Sequence, residues 1–278
     1  TILRTSRTNI FKRDDGPMMV RETFEELGLD GLIAIGGEDT LGAANRLHAE
    51  HGLNILGVPK TIDNDLSGTD VTFGFDTAVH VASAAIDRLH TTAESHNRIL
   101  VCEVMGRHAG WIALHAGIAG GADVILIPEQ PFDIEEVCAR LARRHDRGYL
   151  FSIVVVAEGA TPKEGTMEVL GGDTDEFGHV RLGGIGQRLE HEIGQRTGYE
   201  TRTTVLGHIQ RGGTPTAFDR VLATRFGLAA IDAAHEGRWG TMPALQGTAV
   251  NLVALEEAVL ELKTVPAEYY ARFDALLG

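Results

Sequence analysis

Short apolar or β-branched runs, each closed by a glycine or polar loop and followed by a stretch of helical period, recur along this chain and leave few folds open to it. Gly31-Leu32-Ile33-Ala34-Ile35, Asn54 to Val58, Arg98 to Glu103, Asp123 to Ile127, Leu150 to Ala157 and Thr201 to Leu206 read as strands, and Ser152-Ile153-Val154-Val155-Val156 is the most strongly β-branched of them. Between them the spacing predicts helices: Leu41, Ala44, Leu47 and His48, then Thr77 to about Thr91 with Asp76 as N-cap, Trp111 to Gly120, Asp133 to Arg147, Gly184 to Thr197, and Pro215 to His235. Strand, loop and helix in repetition imply an α/β fold, mostly parallel sheets with helices on both faces and ligands at the strands' carboxyl ends.

Two of the loops carry unusual chemistry. Pro59 has no N–H and biases Val58 away from helix, so the strand is expected to stop there and to expose Lys60-Thr61-Ile62-Asp63-Asn64-Asp65. One ammonium, one hydroxyl, two carboxylates and an amide suit phosphate, metal and proton transfer. Upstream, Gly36-Gly37-Glu38-Asp39-Thr40 joins a strand to a helix start, where paired glycines let the backbone approach a phosphate and the first-turn amides favour an anion. An acidic pair beside bound phosphates repels them unless Mg²⁺ lies between, so Glu38 reads as metal-linked, directly or through water.

The remainder is less regular. Residues 1–16 read as a loop, and no strand with its own glycine turn is evident ahead of Pro17, so an N-terminal strand-helix unit is expected to be missing from this chain. Pro17 to Leu27 reads as a helix with Met18, Phe24 and Leu27 inward. Thr161 to Arg181 breaks the rhythm and suggests an inserted hairpin or mobile loop. Val250 to Val253 is expected to be a last strand, ahead of two short helices parted by Pro266.

At 278 residues and 43% hydrophobic content the chain can bury a sizeable core in two lobes. No run approaches the roughly 20 apolar residues a membrane span needs. Cys102 and Cys138 lack metal spacing and suggest a reducing compartment, the cytoplasm by default. A net charge of −14 argues against nucleic acid, while arginines in glycine-flanked loops suggest local pockets for a small anion.

Gly36-Gly37-Glu38-Asp39-Thr40, Pro59 to Asp65, Met105-Gly106-Arg107, Glu158-Gly159 and Gly207-His208-Ile209-Gln210-Arg211-Gly212-Gly213, taken in order, resemble the phosphofructokinase family over essentially the whole chain, and most of all its actinobacterial members that use pyrophosphate. The resemblance implies a two-lobed fold, with 1–74 and 210–262 serving the phosphoryl donor and 75–209 and 263–278 the sugar phosphate. By it, Asp63 is the general base toward the sugar 1-hydroxyl, against the plain alternative of an Asx turn at a strand end. Asp65 assists through substrate or metal, Thr61 hydrogen-bonds the transferring phosphoryl group, and Arg107 and Glu38 serve the donor and its Mg²⁺. Met105 and Gly106 line the sugar pocket, although Met105 is as well explained as core. Glu158 accepts from sugar hydroxyls. His208, Arg211, Arg98 and Arg202 form a 6-phosphate clamp, the last two lent by a neighbouring subunit, which requires a homodimer or a tetramer; solvated strand starts are the alternative. Arg7 matches a donor arginine, and Gly36, Gly37, Asp39 and Thr40 line the donor. His108, Trp111 and both cysteines read as packing.

Asp39 stands where ATP-using members of that family usually carry glycine, and a side chain there crowds and repels a nucleotide α-phosphate that pyrophosphate does not have. With Lys60, which can bind the leaving phosphate, it favours pyrophosphate. The expected reaction is phosphoryl transfer to fructose 6-phosphate; an ATP-dependent enzyme and a non-catalytic sugar-phosphate-binding subunit are the alternatives.

Overall fold

A computed structural model describes residues 8–167 and 184–275. After a short turn at Ile10–Lys12, helix α1 (Gly16–Leu27) leads into strand β1 (Leu32–Gly36), helix α2 (Glu38–His51) and strand β2 (Ile55–Thr61). The two-residue strand β3 (Phe73–Gly74) opens directly into α3 (Phe75–His96). Strand and helix then alternate: β4 (Ile99–Val104), α4 (Trp111–Ala119), β5 (Val124–Leu126), α5 (Ile134–Asp146), β6 (Ser152–Ala157), α6 (Ile185–Thr197), β7 (Thr201–Val205). Helix α7 (Ala217–His235), strands β8 (Thr241–Gln246) and β9 (Ala249–Ala254), and helices α8 (Leu255–Leu260) and α9 (Ala267–Asp274) complete the chain.

These elements form two compact units. The first holds residues up to Thr61, Leu66–Thr72 and Val221–Glu261; the second holds Ile62–Asp65, Phe73–Arg220 and Leu262 onward. The borders differ from the expected lobes chiefly at 62–65 and 210–220, and two contacts within the second unit explain why. The Asp219 carboxylate accepts from the Gly74 and Thr77 amides at 2.9 and 2.8 Å, and Lys263 holds Asn64 and Asp65.

In the first unit β1 and β2 run parallel, from Leu32 opposite Ile55 to Gly36 opposite Pro59. Leu41, Ala44 and Leu47 of α2 pack with Phe24, Ile55, Leu66, Met242 and Leu255. Each fully buried leucine or isoleucine of that set contributes about 1.5–3 kcal/mol relative to exposure. Strand β2 does not stop at Pro59 but continues to Thr61; the missing N–H removes one donor two residues from the strand's end, where little pairing is left to lose. Phe24 is buried as expected, but Met18 and Leu27 are 58% and 66% exposed. Met18 and Phe24 are six residues apart, about 120° round a helix, so they cannot share a narrow face. The expected last strand is one half of an antiparallel hairpin, β8 with β9. Pro243 hides β8 from a reading by propensity, yet Met242 to Leu245 are buried.

In the second unit the parallel sheet has the order β5-β6-β4-β7. Every residue of β4 and β6 is buried, as both-faced cover demands. Val101, Val154 and Val156 face Val137 and Leu141 of α5 and Leu189 and Ile193 of α6. On the other face α4 comes so close that a Cβ on Gly117 would meet Ile125 at 2.7 Å. Asp76 is not the N-cap of α3. It lies inside the first turn and accepts from the Thr216 hydroxyl at 2.5 Å, while Asp219 of α7 does the capping. A carboxylate supplied from far along the chain has no local signature.

Candidate functional site

In the first unit β1 ends on Gly36, Gly37 is the N-cap of α2, and Glu38, Asp39 and Thr40 form the first helical turn. A Cβ on Gly36 would lie 2.4 Å from the Thr40 Cβ, and one on Gly37 3.2 Å from the Thr61 Cβ. The structure therefore brings Gly36, Gly37, Thr40 and Thr61 together, and only residues without side chains allow the turn to close this tightly. Carboxylates in a first turn suit the helix dipole in any protein, so Glu38 and Asp39 have a structural reason to be there as well as a chemical one. Glu38 is half-buried, whereas Asp39 and Lys60 are exposed. The Thr61 carbonyl accepts from the Thr72 hydroxyl at 2.9 Å, which steadies the end of β2.

No group of three or more His, Cys, Asp or Glu side chains able to hold a metal occurs among the described residues. Mg²⁺ is commonly held by one or two carboxylates plus substrate phosphates and keeps several waters. A single carboxylate at a phosphate-type turn, Glu38, fits an ion of that kind and does not fit a protein cage.

The second unit interlocks its loops by backbone contacts. Gly106 has φ +136°, and a Cβ on Gly159 would lie 1.9 Å from the Arg107 carbonyl oxygen. The Glu158 amide donates to the Val104 carbonyl at 2.8 Å and the Gly159 amide to that of Gly106 at 3.0 Å. Met105, Gly106, Arg107 and Glu158 thus form one cluster at the carboxyl ends of β4 and β6. Burial raises the Glu158 carboxyl above its ordinary range; a hydrogen bond from the Gly106 backbone lowers it, the Asp63 charge raises it and the Arg107 charge lowers it. Asp63 and Arg107 are therefore close enough to act on Glu158 electrostatically. Met105 is buried, which satisfies both readings of it.

Gln210, 1% exposed, ties in the last loop. Its Oε1 accepts from the Met105 amide at 3.3 Å and its Nε2 donates to the Gly207 carbonyl at 3.2 Å, while the Leu206 amide donates to the Glu103 carbonyl at 3.0 Å. His208 and Arg211 are carried exposed on that short 3-10 turn beside Met105. Asn64, with φ +54° and its side chain buried, makes the turn between Asp63 and Asp65. Gln210 is not among the sequence candidates and Asn64 enters only as the amide of its loop; an amide flanked by charged loop residues is the signal available for both.

Arg98 and Arg202 lie at the opposite, amino end of the same sheet, the first immediately before β4 and the second paired beside Leu100. Seven residues separate Arg98 from Met105, roughly 20 Å of strand, so one chain does not bring this pair to the Glu158 cluster. Both arginines bond the same Glu200 Oε1, at 2.8 and 2.7 Å. The hydrogen bond from Arg98 leads the causes that lower the Glu200 carboxyl. Arg7 lies outside the described residues. Of the residues expected to pack, Cys102 and Cys138 are buried, with burial pushing their thiols up to about 12 and about 11. Trp111 is half-buried and its indole donates to the Lys263 carbonyl at 2.8 Å, but His108 is exposed. It follows a glycine-arginine turn that leaves it outside the sheet's cover.

The phosphofructokinase family model matches residues 1–234. The chain belongs to the phosphofructokinase family. It is 59% identical over its whole length to the pyrophosphate--fructose 6-phosphate 1-phosphotransferase of Amycolatopsis mediterranei, covering 81% of that protein. It is also 57% identical to the ATP-dependent 6-phosphofructokinase of Corynebacterium efficiens, covering 80% of it. Among solved structures, phosphofructokinase from Saccharomyces cerevisiae superposes with a TM-score of 0.80 at 34% identity, over 94% of this chain and 36% of the yeast one. The architecture is accordingly the phosphofructokinase-like α/β fold, and the glycine turn, the Asp63 loop and the Glu158 cluster sit in an enzyme of that family. No helix among the described residues is long and apolar enough to cross a membrane.

Proposed function

We propose that the protein moves a phosphoryl group from pyrophosphate to the 1-hydroxyl of fructose 6-phosphate, giving fructose 1,6-bisphosphate and phosphate. The observation that carries the choice of donor is Asp39, exposed in the first turn of α2 beside Gly36 and Gly37. A carboxylate at that turn disfavours a third phosphate and leaves room for two. The 59% relative named for pyrophosphate supports the same reading.

Asp63 takes the proton from the sugar hydroxyl as its oxygen bonds to phosphorus and the bridging P–O bond breaks. The transition state of such a transfer is loose, so the remaining work is positioning and charge compensation. Arg107, Thr61 and Lys60 supply it, Lys60 toward the departing phosphate. Gly36, Gly37, Asp39, Thr40 and Arg7 receive the donor. Bound Mg²⁺ neutralises donor charge, and Glu38 would hold it directly or through water. Met105 and Gly106 line the sugar, with Asp65 nearby. Glu158, at the carboxyl end of β6 beside Gly106, accepts from sugar hydroxyls. His208 and Arg211 bind the 6-phosphate, together with Arg98 and Arg202 of a second copy. That arrangement makes a homodimer the smallest active species, and with it go a donor role for the first unit, a sugar-phosphate role for the second, and a place in the cytoplasm. The reaction is close to reversible because an anhydride is exchanged for an ester of similar energy.

A second reading, transfer from ATP, is favoured by the name of the 57% relative. The test offers pyrophosphate and ATP separately with fructose 6-phosphate and Mg²⁺. Product with pyrophosphate alone is expected; product with ATP alone would overturn the donor and keep the acceptor. No product with either would leave a sugar-phosphate-binding subunit.

A further inference from the structure

The Asp63-Asn64-Asp65 turn is held by a residue from the far end of the chain. Lys263, 199 residues after Asn64, donates from Nζ to the Asn64 Oδ1 at 3.0 Å, and its backbone N–H donates to the Asp65 carbonyl at 2.8 Å. Its own carbonyl accepts from the Trp111 indole at 2.8 Å. Two residues on, the Val265 amide donates to Glu129 Oε1 at 2.8 Å, and the Glu129 carboxylate also accepts from the Gly110 amide at 2.9 and 3.1 Å. Residues 263–265 are thus fastened on one side to the carboxylate turn and on the other to the start of α4, which begins four residues after Arg107. All of these residues lie in the second unit.

The turn needs such a fastening. Asn64 is one of two non-glycine residues with positive φ among those described, a conformation that costs energy for any side chain and is least costly for Asn. Its amide is buried, so its acceptor must be matched inside the protein. A lysine that merely packed the tail would leave its ammonium in solvent. Here the amide N–H, the carbonyl and the ammonium of Lys263 are all spent on the turn or on the helix after the arginine loop.

We propose that Lys263 is a positioning residue for the Asp63 carboxylate: by fixing Asn64 and Asp65, the two residues that follow it in the turn, it sets where the base stands relative to the sugar hydroxyl. The inference rests on the phosphofructokinase reading of Asp63. Displacing a catalytic group by about 1 Å can cost about 10²-fold in rate, and sugar-phosphate contacts made by Glu158, His208 and Arg211 do not pass through Lys263.

The experiment compares the full chain with Lys263→Met, Lys263→Arg, Asn64→Ala and the Lys263→Met/Asn64→Ala double variant. It measures kcat, KM for fructose 6-phosphate, Tm and amide hydrogen exchange. Expected are a fall in kcat of about 10- to 100-fold in Lys263→Met with KM within about twofold, substantial recovery in Lys263→Arg, a double variant no worse than the poorer single one, and faster exchange confined to 62–66. A folded Lys263→Met with unchanged kcat would overturn the proposal, as would losses that add in the double variant or exchange that quickens throughout the second unit. Should Lys263→Met not fold, Lys263→Gln, which keeps a donor on a shorter stem, is read by the same criteria. If the wild-type chain phosphorylates fructose 6-phosphate with neither donor, the functional reading fails. Exchange at 62–66 in Lys263→Met then decides the fastening alone, and unchanged exchange there overturns it.

Discussion

The glycine turn of the first unit and the loop cluster of the second are built on different principles. At Gly36 to Thr40 a strand hands over to a helix, the close contacts are to the side chains of Thr40 and Thr61, and Asp39 and Lys60 stand exposed. Around Glu158 the close contacts are backbone on backbone, and buried Gln210 and Asn64 cross-link loops from distant parts of the chain. An exposed first turn can change a side chain at little structural cost. A cluster whose glycines touch carbonyl oxygens cannot.

Asp63→Ser tests the contrast most severely. Turnover is expected to fall by about 10²–10⁴-fold, the range of a lost general base, while calorimetry shows sugar-phosphate binding nearly intact. Lost binding with unchanged turnover per bound substrate would break the assignment. Gly159→Ala comes next: the added methyl meets the Arg107 oxygen, so we expect about 1–3 kcal/mol of destabilisation and a raised KM for fructose 6-phosphate. Gly42→Ala on α2, with nothing within 4 Å of the new Cβ, is the control and should be neutral or slightly stabilising. Equal effects of the two would remove the distinction between a permissive and a locked region. Asp39→Gly is expected to raise kcat/KM with ATP by about tenfold, about 1.4 kcal/mol, at unchanged KM for the sugar; no gain would place donor choice elsewhere.

The smallest effect concerns Glu103, buried in β4. Burial is the main cause raising its carboxyl, partly offset by the bond at 2.8 Å from the Gly186 amide. A carboxyl raised on folding holds its proton more tightly in the native state, so stability is lost as pH rises from the ordinary carboxylate range through the raised native value. Glu103→Gln keeps an acceptor for Gly186 and removes that loss. Its Tm should exceed wild type at neutral pH and match it in acid; a pH-independent difference would contradict the sign.

Much of the fold was legible because alternation of β-branched runs with helical periods is a local signal, as in Ser152 to Val156 before α6. The failures share one cause. Pro59 locally favours an end to β2, yet pairing with β1 carries the strand on to Thr61, and the cap of α3 comes from Asp219 instead of the adjacent Asp76. Hydrophobicity alone places Met18 inward, but it says nothing of the direction in which a helix lies.

By itself the sequence determined the order of most elements, the candidate loops for phosphate and proton chemistry, and the residue types each holds, because period, turn residues and glycine pairs act within a few positions of one another. Only the tertiary structure decided which groups meet. It set the Gly159 backbone against Arg107, brought Gln210 to Met105, placed Arg98 and Arg202 on one Glu200 at the other end of the sheet, and laid Lys263 across the turn of Asp63. Such contacts join residues tens to hundreds of positions apart, and they are fixed by packing two faces of a parallel sheet, which no local pattern encodes.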